Sequence, residues 1–213
     1  MRLYLIRHGQ TPSNVLAALD TAVPGPELTA EGVRQAGAMA AALAGVPIER
    51  VYASTMRRAQ MTAEPLARAR GLTVEVRPGL REVGAGELEM RTDEPSVRHY
   101  LSTVIRWAGG EHDLLIPGGD TAAETLGRFD AVVEEVLGLG VGSAALVSHG
   151  AMIRLWSASR VRNLTPAFVA EHGLANTGVV SLDGDADGWV ASGWEERTVP
   201  HVSPAVEDGP GGR

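Results

Sequence analysis

Cysteine is absent from the 213 residues, which excludes disulfide staples, a thiol nucleophile and any zinc site built on thiolate. Lysine is absent as well: every one of the 19 basic residues is arginine. That removes the P-loop lysine, the kinase lysine and Schiff-base chemistry together. Any anion held here is held by arginine, histidine, backbone N–H groups or a metal. Aromatics are scarce at 4%, leaving few platforms for stacking single-stranded nucleic acid. Positive charge is in deficit too. The net charge is −7 with a pI near 5.4, which argues against nucleic acid or an anionic membrane as partner. Long apolar runs are also missing. The longest, Ala38 to Val46, is far short of the ~18 residues of a membrane span, and the apolar run before Arg7 is too short for a signal peptide. A cytoplasmic location is the expected one.

What remains is an ordinary globular composition, 44% hydrophobic with mean hydropathy −0.01, enough for one substantial core. Leu3 to Ile6, Arg50 to Ala53, Leu72 to Val76 and Ala144 to Ser148 read as buried strands. Helical stretches lie between them: Thr29 to Leu43 capped by Thr29, Met56 to Ala69 behind Ser54 and Thr55, and Thr121 to Leu137 behind an Asp120 cap. The alternation predicts an α/β fold, a three-layer sandwich with a mostly parallel central sheet flanked by helices. Residues 87–119 break the rhythm, with a helix around Ser96 to Trp107, and read as a small lid insertion. Gly178 to Leu182 and Trp189 to Trp194 around DGDADG form a hairpin pattern. Residues 1–200 are expected to form a single catalytic domain, and the Pro- and Gly-rich residues 201–213 a disordered tail.

Ligands on such sheets bind beyond the carboxyl ends of the strands, so the first polar residues after each apolar run carry the chemistry. These are Arg7-His8-Gly9, Ser54 to Arg58, Leu80-Arg81-Glu82, and Ser148-His149-Gly150. Two His-Gly steps, several arginines and a carboxylate thus converge on one rim. Arginine forks suit phosphoryl oxygens, and a helix N-terminus near Arg57 and Arg58 offers N–H groups to an anion. The two glycines are expected to let backbone approach a ligand.

LIRHGQT (Leu5 to Thr11) resembles the signature of the histidine phosphatase superfamily, the phosphoglycerate mutase-like family. LTAEGVRQA (Leu28 to Ala36), VYASTMRRAQMTAEPLA (Val51 to Ala67), LREVGAGELE (Leu80 to Glu89) and VSHGAMIR (Val147 to Arg154) resemble its later motifs in the same order. The resemblance implies that His8 is the nucleophile that becomes phosphorylated, that Arg7, Asn14, Arg58 and Gly150 contact the phosphoryl group, and that His149 is the second histidine. Glu82 takes the acid/base position. A protonated His149 is expected to share the transition-state charge with Arg7 and Arg58. No metal or other cofactor is implied; the partner is a small-molecule phosphate ester, and oligomeric state is left open. The acid loop departs from the family's pattern: the family often has an aromatic before Gly86 and an aromatic-Glu-Gly step after it, where this sequence has Ala85 and Leu88-Glu89-Met90.

Sixty-six residues separate Glu82 from His149, a shorter insertion than the cofactor-dependent mutases carry. Without lysine for a second phosphate, the expected activity is that of a histidine acid phosphatase-type phosphomonoesterase, with phosphoglycerate mutase-type transfer as the alternative. Asn14 also reads as a helix cap, and Arg57 as the surface neighbour of Arg58. His99, His112, His172 and His201 read as surface or loop residues, while Arg91, Arg98, His99 and Arg106 in the lid either bind a second anion or face solvent. DGDADG is a turn rather than a calcium loop, because its twelfth position is Trp194. Gly138 to Gly142 precedes a strand instead of following one, which excludes a dinucleotide loop. Two rivals from other classes are a two-His-one-carboxylate metal site and a catalytically weak phospho-ligand binder.

Overall fold

Leu3 to Ile6, at 0–6% exposure, are apolar without interruption because their strand is covered on both faces and paired on both edges. In the computed structural model, which describes residues 1–195 and 197–199, β1 (Arg2–Arg7) lies parallel to β4 (Ser143–Ser148) and antiparallel to β5 (Val179–Asp185). With β2 (Arg50–Ser54), β3 (Val74–Arg77), β6 (Gly188–Trp194) and β7 (Arg197–Thr198), the sheet order is β3-β2-β4-β1-β5-β6-β7. Five of the seven strands run in one direction, β5 and β7 in the other.

Alternation along β1 divides the core into two layers. Tyr4 and Ile6 face an alanine-rich layer beneath α2 (Ala30–Ala42) and α3 (Arg57–Arg68). Leu3 and Leu5 face a bulkier one, with Phe129 of α5 (Ala122–Gly138) and Trp156 of α6 (Gly150–Arg160). Small side chains let helices approach one face closely, while Phe129 and Trp156, with ring centroids 5.2 Å apart, fill the wider space opposite. The segment expected as a lid holds a 3-10 turn at Gly86–Leu88 and α4 (Glu94–Ala108). Two short helices complete the set, α1 (Pro12–Val15) and α7 (Pro166–Glu171).

Several local expectations are corrected. Helix α5 is capped by Thr121 and not Asp120, because Thr121-x-x-Glu124 closes a reciprocal capping box. No side chain caps α3; Ser54 Oγ instead accepts from Met56 N. Strand β3 begins at Val74, two residues later than its apolar run, because Leu72 N–H still closes the end of α3 on Ala67 O. The hairpin turn falls at Ala186-Asp187, with Asp187 N–H on the Asp185 carboxylate at 2.9 Å. Residues 201–213, including His201, and residue 200 lie outside the described residues. No helix among those described is long and apolar enough to cross a membrane.

Candidate active site

His8 follows β1, and His149 follows β4 as the N-cap of α6. Their rings lie 5.1 Å apart, tilted by 59°. His8 Nδ1 is 2.7 Å from the carbonyl of Gly9, and His8 Nε2 accepts from Arg58 Nε at 3.1 Å. A carbonyl can only accept and a guanidinium can only donate, so both contacts fix one tautomer: the proton on Nδ1, the lone pair on Nε2. Burial first, then the charges of Arg58 and Arg7, hold the His8 pKa well below the usual imidazole value. The ring is neutral.

Around it stand cationic and N–H groups brought from separate segments. Arg58 is 3% exposed. Its Nη2 donates to Asp20 O at 2.8 Å, and its Nη1 lies 3.6 Å from the Asp20 carboxylate. Arg7 Nη1 donates to Leu174 O at 2.6 Å. Arg7 Nε, Arg58 Nη1 and both ring nitrogens of His149 have no hydrogen-bond partner among the described residues. A buried polar group left unpaired costs about 1–3 kcal/mol, and the unpaired guanidinium N–H groups of Arg7 and Arg58, with the one N–H of the neutral His149 ring, are donors that an acceptor-rich anion satisfies. Arg7, His8, Asn14, Arg58, Glu82 and Gly150 line one cavity of about 290 Å³.

The protonated His149 expected in the transition state is not what burial favours in the free site. Burial, then Arg58 and His8, press its pKa well below the imidazole range, so the ring is neutral until negative charge arrives beside it. The role expected of the two glycines also divides. Gly150 lines the cavity against Arg7. Gly9 does not; a Cβ there would stand 2.7 Å from Gly32 O, so Gly9 is small to admit α2 rather than a ligand.

Glu82 is held by the start of α6. Its Oε1 accepts from Val83 N at 2.9 Å and Met152 N at 2.8 Å, its Oε2 from Ala151 N at 3.2 Å. Two of those donors, Ala151 N and Met152 N, belong to the first turn of α6. The loop carrying Glu82 is clamped from α5: Arg128 donates to the carbonyls of Gly79, Arg81 and Glu82 at 2.7–2.8 Å. Tyr100 OH donates to Val83 O at 2.8 Å. The departures further along have their own anchors. Ala85 is fully buried and its N–H meets Thr21 Oγ1, while Glu89 accepts from Thr21 N, Thr21 Oγ1 and Ala22 N at 2.5–3.1 Å. Glu89 thus ties the acid loop to the loop after α1.

Thr11, not Asn14, is the cap of α1; the Asn14 side chain is its reciprocal partner. It is the N3 partner of the Thr11 capping box, its Oδ1 accepting from Thr11 N and Asn176 Nδ2, and it lines the cavity. Arg57 lies outside, exposed and paired with Glu27. The lid arginines do not enter the cavity: Arg91 pairs with Asp93, Arg98 with Glu94 and Arg106 with Glu111. His99 and His112 are exposed, and His172 stacks on Phe168 at 4.3 Å. The metal reading meets a specific obstacle, since the His8 lone pair a cation would need faces the Arg58 guanidinium. Among the cavity residues without a predicted role are three with ionisable side chains, Asp20, Tyr100 and Arg154. Arg154, four residues after Gly150, was the findable one, because that spacing puts both on one helix face.

The family model of the histidine phosphatase superfamily (branch 1) matches residues 3–197, and the chain belongs to that family of phosphatase- and mutase-type enzymes. It is 33% identical over 198 residues to a probable phosphoglycerate mutase (GpmB) of Yersinia enterocolitica, covering 91% of this chain and 90% of that protein. It is 34% identical over 207 residues to the PE-PGRS family protein PE_PGRS11 of Mycobacterium tuberculosis, covering 89% of this chain but 35% of that longer protein. Among solved structures, a mycobacterial glucosyl-3-phosphoglycerate phosphatase in complex with VO3 superposes with a TM-score of 0.77 at 28% identity, covering 91% of this chain and 98% of the other.

Proposed function

We propose that this protein hydrolyses small-molecule phosphate monoesters through a phosphohistidine on His8. The observation that carries the reading is the fixed tautomer of His8, a neutral ring with its proton on Nδ1 and an Nε2 lone pair that accepts from Arg58 Nε until a phosphoryl group in the arginine-lined cavity draws the guanidinium to its own oxygens. In the first step Nε2 attacks phosphorus, the N–P bond forms, the P–O ester bond breaks, and Glu82 passes a proton to the departing oxygen. In the second, water attacks phosphorus, gives its proton to Glu82, and the N–P bond breaks to release inorganic phosphate. Arg7, Arg58, the Asn14 amide, one ring N–H of His149 and the Gly150 N–H hold the three equatorial oxygens as charge spreads over them. An incoming phosphate dianion supplies the negative charge that lets His149 take up a proton, so the second histidine gains its charge with the substrate.

Water rather than a second hydroxyl is the favoured acceptor. The insertion is short, lysine is absent, and Arg91, Arg98 and Arg106 are each committed to a carboxylate, leaving them unfit to hold a second phosphate. Rapid-quench mixing with a radiolabelled ester tests the reading. Acid-labile label on His8 in the first turnover, with inorganic phosphate as the product, supports it. Ester consumption with no label on His8 overturns the intermediate, and return of the phosphoryl group to another hydroxyl makes the protein a mutase.

A further inference from the structure

A second depression adjoins the catalytic cavity, and nothing in the phosphoryl chemistry uses it. It has a volume of about 710 Å³ and shares Leu101 and Arg154 with the cavity. Its floor is Val97, Leu101 and Ile105, spaced four apart on α4 and partly buried against the core, with Ala17 and Ala170 at its sides. Over the eight helical steps from Val97 to Ile105, at about 1.5 Å each, the apolar stripe runs about 12 Å.

Two of the three arginines on its walls are paired with carboxylates, while the third, Arg154, stands where the groove meets the catalytic cavity and donates to Val169 O. Arg98 pairs with Glu94 on the same helix and Arg106 with Glu111, so neither is left to recognise an anion. Resting on the assignment of the His8 cavity to phosphate, we infer that this groove binds the alcohol portion of the ester, and that the alcohol is an apolar alkyl or aryl group rather than a polyhydroxylated or doubly anionic one. Continuity with the cavity selects the occupant: a phosphoryl group seated at Arg7 and Arg58 directs its ester substituent past Leu101, and a non-polar chain is the one that gains there.

Alkylphosphonates, whose carbon–phosphorus bond the proposed mechanism does not cleave, test this by titration calorimetry on the full chain, with inorganic phosphate as reference. Each methylene that keeps one face to water should tighten binding about twofold, so hexylphosphonate should bind about 30-fold tighter than methylphosphonate. In Val97→Ser/Ile105→Ser that ratio should fall below about threefold. Equal affinity along the series in the unsubstituted protein, with phosphate still bound, overturns the groove. So does a flat series accompanied by a concentration-dependent dimer that the double substitution disperses, which would make this face a contact between copies. If phosphate and every phosphonate fail to bind, the phosphate site itself is wrong and the groove falls with it.

Discussion

Two strand ends, β1 and β4, each deliver a histidine followed by glycine to the same rim, yet the structure treats them differently. His8 is bonded at both ring nitrogens, to Gly9 O and to Arg58. His149 is bonded at neither. Both are buried and both have depressed pKa values, so burial does not distinguish them. Prior fixation does. A nucleophile must present one lone pair in one direction before its substrate arrives. A group that answers the charge of the transition state can wait for that charge to supply its hydrogen bonds.

The largest predicted contrast follows directly. His8→Ala should abolish turnover through the covalent intermediate, with no acid-labile label in rapid quench. His149→Ala should slow the reaction about 10²–10³-fold, as for loss of one fixed donor, while label still forms on His8. Label persisting in His8→Ala, or vanishing in His149→Ala at substrate saturation, would exchange the two roles.

The guanidinium that fixes His8 should rank next. Arg58→Gln removes the hydrogen bond to Nε2 and, on the proposed function, a phosphate contact, and should lower kcat/KM by about 10²–10³-fold. Arg57→Gln, one residue earlier but exposed and paired with Glu27, should stay within about twofold, as befits a surface ion pair. Steady-state kinetics on an aryl phosphate read both. Equal losses would mean that helix charge near the site, rather than the contact to His8, sets the rate.

Acid stability tests the shared property of the pair. For each imidazole the folded pKa lies below the unfolded one, so the unfolded chain takes up a proton near pH 6.5 that the folded ring refuses. Stability present above that pH is therefore lost as the pH falls towards the folded values, by about 1.4 kcal/mol per pH unit for each ring. Urea unfolding of unliganded protein between pH 6.5 and 5.5 should show this dependence, and His149→Asn should remove about half of the share the two rings contribute. An unchanged slope in His149→Asn would show that the ring is already protonated in the free protein.

The parts of the site legible in the sequence are those standing at strand ends. His8, Arg58, Glu82 and His149 each follow an apolar run or its adjoining turn, and an apolar run of that length announces a buried strand whatever the tertiary detail. The helix after His149 gave weaker notice. Ala151, Met152, Ile153, Leu155, Trp156 and Ser157 are all buried, so α6 lacks the polar stripe that marks an amphipathic helix, and no side chain caps its start. Helix α7 had its signals, a Thr165 cap and Pro166, but only six residues to carry them. Arg128 was invisible for another reason. Its acceptors are backbone carbonyls at Gly79, Arg81 and Glu82, and a carbonyl leaves no trace in residue identity.

Thr62 belongs to that hidden class and gives the finest test of the difference between the two strand ends. Its hydroxyl donates to Arg58 O at 2.7 Å and accepts from Gly9 N at 2.9 Å, so a single oxygen joins the residue whose carbonyl holds His8 Nδ1 to the residue whose guanidinium meets His8 Nε2. Thr62→Val keeps the shape, leaves the buried Gly9 N–H without its acceptor, and should cost about 1–3 kcal/mol of stability. If fixation of His8 matters as proposed, kcat should fall several-fold while the Kd for inorganic phosphate holds, because the arginines still bind the anion but the ring no longer waits in one orientation. Thr62→Ser restores the hydroxyl and should recover kcat. Loss of stability with unchanged kcat would leave Thr62 a packing residue and the orientation of His8 in the care of Arg58 alone.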